Sequence, residues 1–157
     1  MLQKMQGSVT VHMNASAEAV WNLVSDITQI GKYSPETFEA EWLGGATGPV
    51  VGAKFRGHVK RNGRGPVYWA KCEVTSSIPS QEFGFAVGTA AKPLNNWKYE
   101  IAVSADGGVD VTESFTLPQS AFTKIYASLF GKARGETNRK GMQQTLERIK
   151  AVAETIA

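Results

Sequence analysis

The order of the elements constrains this chain more than any single motif in it. A short β run, Val9-Thr10-Val11-His12-Met13, leads through Asn14-Ala15-Ser16 into a compact helix over Ala17 to Asp26. A second helical turn around Ile27 to Lys32 is stopped by Ser34-Pro35. Only strand-like segments follow until one long amphipathic C-terminal stretch. One strand, two short helices, a run of hairpins and a final helix leave few ways to bury a core, and most of them enclose a cavity.

Local signals support each element. Ser16 is placed to cap the first helix, with Glu18 in its first turn where a carboxylate complements the helix dipole. Val20, Leu23, Val24 and Ile27 fall at i, i+3, i+4 and i+7 and form one apolar stripe. Asp26 is expected to cap or turn the chain between the two helices. Phe38, Ala40 and Trp42 alternate with Glu39 and Glu41, as on a half-buried strand. Phe55, Gly57 and Val59 alternate with Lys54, Arg56, His58 and Lys60, so the basic side chains share one face. Asn62-Gly63 marks a hairpin, lengthened by Arg64-Gly65.

The return strand from Pro66 to about Ser77 presents Tyr68, Ala70, Cys72 and Val74 on its core face. Trp69 is left for the outer face or an edge. Phe83, Phe85 and Val87 form the next strand, a Gly88-to-Lys92 loop follows, and Trp97, Tyr99, Ile101 and Val103 alternate with Lys98 and Glu100. Asp106-Gly107-Gly108 turns the chain into Val109 to Leu117. Successive antiparallel strands on short turns imply a meander sheet. Phe122, Ile125, Tyr126, Leu129 and Phe130 then make a helical stripe ended by Gly131. A longer helix from Glu136 to Ile156 carries Met142, Leu146, Ile149, Val152, Ala153 and Ile156 on one side, weakened slightly by Gly141.

Composition narrows the function classes. The 157 residues, 42% apolar and 20% charged, suit one folded domain over 1–157 that buries its core without staples. The lone Cys72 forbids an internal disulfide and any multi-cysteine metal site. The first seven residues contain no apolar export segment and no run reaches membrane-spanning length, so a cytoplasmic location is the expectation. A net charge of +3 is too mild for a nucleic-acid signature. The basic residues Lys54, Arg56, His58, Lys60, Arg61 and Arg64 read better as a solvated edge that discourages strand aggregation. Nothing in the sequence specifies an oligomeric state.

Chemical motifs are few. His12 and His58, the only histidines, lie far apart in sequence, which argues against a metal. Cys72 has no neighbouring histidine and faces inward as a small apolar group. Gly44-Gly45-Ala46-Thr47-Gly48 lacks the lysine of a phosphate loop. No cofactor is expected.

The residues Val9 to Asn14 followed by Ala15-Ser16-Ala17-Glu18-Ala19-Val20-Trp21, then Val24-Ser25-Asp26 and Tyr33-Ser34-Pro35, resemble the START-like (SRPBCC) superfamily, in its polyketide cyclase/dehydrase and lipid transport branch. Trp97-Lys98-Tyr99-Glu100, Val111 to Phe115 and Leu146 to Lys150 match as well, so the resemblance spans nearly the whole chain. It implies an α+β helix-grip fold: a curved antiparallel sheet of six to seven strands wrapped around a long C-terminal helix, with two short helices after the first strand. It also implies a hydrophobic cavity between sheet and helix.

The inward aromatic set is Phe38, Trp42, Phe55, Phe83, Phe85, Trp97, Tyr99 and Phe115. Expected ligand-binding residues are Trp42, Phe55, Phe83, Phe85, Trp97, Tyr99 and Phe115 from the sheet, closed by Phe122, Tyr126, Met142 and Leu146. Burying ~300–400 Å² of apolar surface gives roughly 8–10 kcal/mol gross, which association costs reduce to micromolar affinity or weaker.

The leading expectation is a binder of a small hydrophobic or amphipathic molecule, such as a lipid, polyketide or isoprenoid-like compound. The alternative is a cyclase or dehydratase in which Glu113, on the Val111/Phe115 face, or a tyrosine moves a proton. A one-residue bulge would instead turn Glu113 to solvent. Another alternative is an interaction module that uses the groove for a partner's apolar segment. Residues 122–134, with Lys124, Lys132 and Arg134 beside five apolar side chains, suggest either a packed helix over the sheet mouth or peripheral contact with an anionic membrane.

Overall fold

A computed structural model describes residues 6–60, 66–118 and 138–156. Seven strands, β1 (Gln6–Met13), β2 (Thr37–Trp42), β3 (Lys54–Val59), β4 (Tyr68–Ile78), β5 (Glu82–Gly88), β6 (Pro93–Val103) and β7 (Val109–Thr116), form one antiparallel sheet in the order β1-β7-β6-β5-β4-β3-β2. Only β1 departs from a meander, pairing with the last strand from Gln6↔Thr116 to Met13↔Val109. The helix α1 (Ala17–Val24) and a 3-10 helix (Ile27–Lys32) therefore carry the chain from one end of the sheet to the other. Residues 138–153 form the C-terminal helix, α2, which the curved sheet grips.

The short helices are fixed by side-chain caps. Ser16 Oγ accepts from the Ala19 amide at 3.1 Å and starts α1. The Ser25 hydroxyl donates to the Trp21 carbonyl at 2.6 Å where α1 ends, so the helix stops at Val24, two residues earlier than the pattern suggests. Asp26 then caps the 3-10 helix, accepting from the Thr28 amide at 3.1 Å and the Thr28 hydroxyl at 2.6 Å. Ser34 Oγ accepts from the Thr37 amide at 3.0 Å and turns the chain into β2.

The core follows from these faces. Val20, Leu23 and Val24 of α1 join Val109 and Val111 of β7, Ile101 of β6, Phe83 of β5 and Val74 of β4. Leu146, Ile149 and Ala153 of α2 close over them with no exposed surface. Val152 packs at the margin. Ile156, expected on the buried stripe, is exposed because the helix gives way to a turn after residue 153. The end of α2 is tied to the start of the fold by Glu154, whose carboxylate accepts from the Asn14 amide at 2.7 Å and from Lys150 at 2.8 Å.

Two further expectations change, and one open alternative is resolved. Phe38 is not inward but 47% exposed, because a register shift between Thr37 and Glu39 inserts a residue and breaks the alternation. Trp69 belongs to the outer face, where its ring stacks on His58 with centroids 4.1 Å apart and the Arg56 guanidinium lies 4.0 Å above it. The basic face is not a sheet edge, since β3 lies between β2 and β4. Two of its side chains meet the neighbouring strand: Arg56 Nε donates to Glu41 at 2.6 Å, and His58 Nδ1 lies 2.7 Å from Glu39. The Asn62-Gly63 turn and the stripe from Phe122 to Phe130 lie outside the described residues, as does all of 122–134.

Candidate functional site

The inward side chains do not fill the space under α2 evenly. Leu146, Ile149 and Ala153 seal one half of the helix against the sheet. In the preceding turns the helix presents Asn138, Gly141, Met142 and Thr145, and here a cavity of about 180 Å³ remains. Two of these four residues are small, which is why the space stays open. The floor is aromatic and aliphatic: Phe55 on β3, Cys72 on β4, Phe85 and Val87 on β5, and Trp97 on β6. Ile30 and the Ser34-to-Thr37 segment form the rim beside the 3-10 helix.

One wall residue breaks the apolar pattern. Along β7, Val109, Val111, Glu113 and Phe115 are buried while the residues between them are partly exposed. Glu113 thus occupies a position where the alternation calls for a hydrophobic side chain, and it is only 5% exposed. Its cross-strand neighbours are Val9 on β1 and Tyr99 on β6. Burial pushes its carboxyl from an ordinary 4.5 up to about 8, against the opposing effect of a hydrogen bond from Tyr99. Its Oε1 has no hydrogen-bond partner among the described residues.

Two phenols share this environment. Burial, and then the neighbouring carboxyl of Glu113, raise Tyr99 well above the usual tyrosine range and keep it protonated. Tyr33, directly after the 3-10 helix, is raised for the same reasons and donates to the Leu23 carbonyl at 3.4 Å. The outcome is a buried cluster of one carboxyl and two hydroxyls on the boundary between filled core and open cavity. By contrast Cys72, pushed up to about 12 by burial, stays a neutral thiol. His12 does not line the cavity and pairs with Asp110 at 2.8 Å.

The structure sorts the sequence candidates into groups. Phe55, Phe85, Trp97, Tyr99, Met142 and Glu113 line the cavity. Trp42, Phe83, Phe115 and Leu146 face the same interior without lining it. Each is covered by a neighbour: Trp42 packs edge-on to Phe55 with centroids 5.8 Å apart, Phe83 meets Trp21 of α1 at 6.2 Å, and Phe115 meets Trp97 at 5.6 Å. Leu146 is sealed in the core. Phe122 and Tyr126 lie outside the described residues. The lining also includes residues that sequence reasoning missed, Asn95, Asn138 and Thr145 among them. Asn95 Oδ1 lacks a partner among the described residues, and its period-two spacing from Trp97 and Tyr99 is the sequence signal that points inward.

A family model described as polyketide cyclase/dehydrase and lipid transport matches residues 4–154. The chain belongs to this family. No curated protein matches the sequence. Among solved structures, the Polyketide_cyc-like protein Cgl2372 of Corynebacterium glutamicum aligns at 26% identity with a TM-score of 0.67, over 99% of this chain and 94% of its own. The protein SA2116 of Staphylococcus aureus, of unknown function, shares the fold at 15% identity and a TM-score of 0.69, over 99% and 98% of the two chains. The di-domain ARO/CYC StfQ of the steffimycin biosynthetic pathway shares it at 15% identity and a TM-score of 0.66. That match covers 94% of this chain but 44% of StfQ. Among the described residues of this family member, no helix is long and apolar enough to cross a membrane.

Proposed function

We propose that this protein binds a small hydrophobic or amphipathic molecule in the cavity between the sheet and α2. The observation that carries this reading is the unfilled space itself, floored by Phe55, Phe85 and Trp97 and bordered by the buried Glu113. The space measures about 180 Å³ and is open on one side. An apolar cavity of ~150 Å³ admits one benzene ring. One ring therefore fills this space, and a longer acyl chain or a larger polyketide would extend out through its open side. Burying ~200 Å² of such a ligand contributes about 5 kcal/mol, so binding weaker than micromolar is expected.

The Glu113–Tyr99 pair supports a second reading, proton transfer of the cyclase or dehydratase type. A carboxyl that titrates near 8 exchanges a proton readily at neutral pH, and Tyr99 beside it holds a second one. On that reading Glu113→Gln removes turnover and spares ligand affinity.

Native mass spectrometry of gently purified protein tests the binding reading. The expected result is a discrete adduct, released on denaturation, that is missing from Ala70→Phe, in which a phenyl ring from the lining of the cavity occupies the space. An adduct retained by Ala70→Phe would place the ligand elsewhere. Adduct-free protein that also takes up nothing from a panel of one-ring aromatic compounds would reject the reading.

A further inference from the structure

We propose that Gly141 holds open a portal beside Pro35, through which the substituent of a ring-bound ligand leaves the cavity, so that this position limits ligand length. The inference rests on the ligand-binding reading and adds the route by which a larger ligand extends out of the site.

Two features of the lining locate the portal. Of the four α2 residues that border the cavity, Asn138, Met142 and Thr145 are buried, whereas Gly141 is partly exposed. Gly141 therefore borders both the enclosed space and the solvent. Pro35, on the rim, also lines the cavity and is also partly exposed. A Cβ added to Gly141 would come 3.9 Å from Pro35 Cγ, an ordinary van der Waals contact. One methyl group would thus join α2 to the rim, and a longer side chain would occupy the gap.

The choice of residue points the same way. The Thr145 hydroxyl donates to the Gly141 carbonyl at 2.8 Å, one helical turn back, so Gly141 stands within the helix. Glycine is less favourable than alanine there, because it gives up more conformational freedom on folding. Other glycines of this chain have a packing reason. A Cβ on Gly31 would lie 2.2 Å from the Phe38 carbonyl oxygen, and one on Gly108 would lie 2.5 Å from that of Met13. Gly141 meets no such obstacle among the described residues, and its backbone is not left-handed. Packing among the described residues does not call for glycine at this place; an open portal does.

Three phenyl ketones of increasing acyl length test the assignment: acetophenone, butyrophenone and hexanophenone. Each is titrated into the unaltered protein, Gly141→Ala and Gly141→Leu, with binding read by methionine-methyl NMR. In the unaltered protein hexanophenone is expected to bind at least as tightly as acetophenone. Gly141→Leu should weaken hexanophenone by at least about tenfold and acetophenone by no more than about twofold. Gly141→Ala should weaken hexanophenone by about threefold. It should also raise the melting temperature by about 2–4 °C, as replacement of a helical glycine does. The alanine variant carries the test if leucine disturbs the fold. Hexanophenone affinity unchanged in both variants would route the substituent elsewhere, past the exposed Tyr68 for example, and overturn the proposal. An equal loss for all three ketones would make Gly141 a plain wall residue and overturn it too. So would a lower melting temperature in Gly141→Ala, or hexanophenone binding the unaltered protein more weakly than acetophenone. In each of these cases the cavity reading stands. Failure of all three ketones to bind the unaltered protein would overturn both.

Discussion

Gly31→Ala will lower the melting temperature by about 6–12 °C, whereas Gly48→Ala will leave it nearly unchanged. A Cβ on Gly31 would lie 2.2 Å from the Phe38 carbonyl oxygen and 3.0 Å from its carbon. Both atoms belong to the backbone of β2, so no side-chain rotation relieves the clash. The 3-10 helix and β2 must move apart. Overpacking of this kind costs about 3 kcal/mol, and each kcal/mol shifts a domain of this size by roughly 2–4 °C. Gly48 has nothing within 4 Å of its would-be Cβ and serves as the control. Because the Ser34-to-Thr37 rim lies between the two elements, Gly31→Ala should also weaken ligand binding. A melting temperature within about 2 °C of the unaltered protein, read by calorimetry, would contradict the close packing of these elements.

The second large effect is a loss of stability with rising pH that Glu113→Gln removes. The folded carboxyl titrates near 8 and the unfolded one near 4.5, so between those values the folded state holds the extra proton. Stability therefore falls as pH rises through this window, the reverse of the usual salt-bridged carboxylate. Between pH 5 and 8.5 the decline attributable to Glu113 is about 4 kcal/mol, a large share of a typical domain's total. His12 contributes a decline of the same sign, since its hydrogen bond to Asp110 and the nearby carboxylates raise its pKa. The difference between the two proteins isolates Glu113. Urea unfolding at pH 5, 7 and 8.5 should show converging stabilities at the acid end and a more stable Glu113→Gln at the alkaline end. Parallel curves would mean that Glu113 is ionised and solvated in the folded protein.

Both effects involve residues whose importance was unevenly visible in the sequence. The strands were legible because alternation reports a face directly: Val109, Val111 and Phe115 face inward as their spacing demands, and Glu113 is carried in with them. Phe38 was misplaced because a bulge adds one residue, and a period of two cannot register an insertion it does not anticipate. Cavity and core were confused for a related reason. Alternation identifies the inner face of a strand but not the depth of cover above it, so Phe83 under Trp21 and Phe85 at the cavity floor look identical in sequence. The same holds on α2, where Met142 lines the cavity and Leu146, one turn later, is sealed in the core. Tyr33 was read only as part of a short motif, since its burial depends on the turn made by the 3-10 helix. Gly31 carried no signal at all, because its requirement comes from a strand carbonyl brought close only by tertiary packing.

Methionine-methyl NMR tests the ligand cavity most directly. The chain has four methionines, and the two in described positions provide a probe and a control. Met142 lines the cavity with 1% exposure, while Met13 is equally buried in the core but does not line it. Titration with acetophenone should shift the Met142 methyl resonance progressively and leave that of Met13 in place. If neither resonance moves up to the solubility limit of the compound, or if both move together as the core loosens, the cavity is not a ligand site.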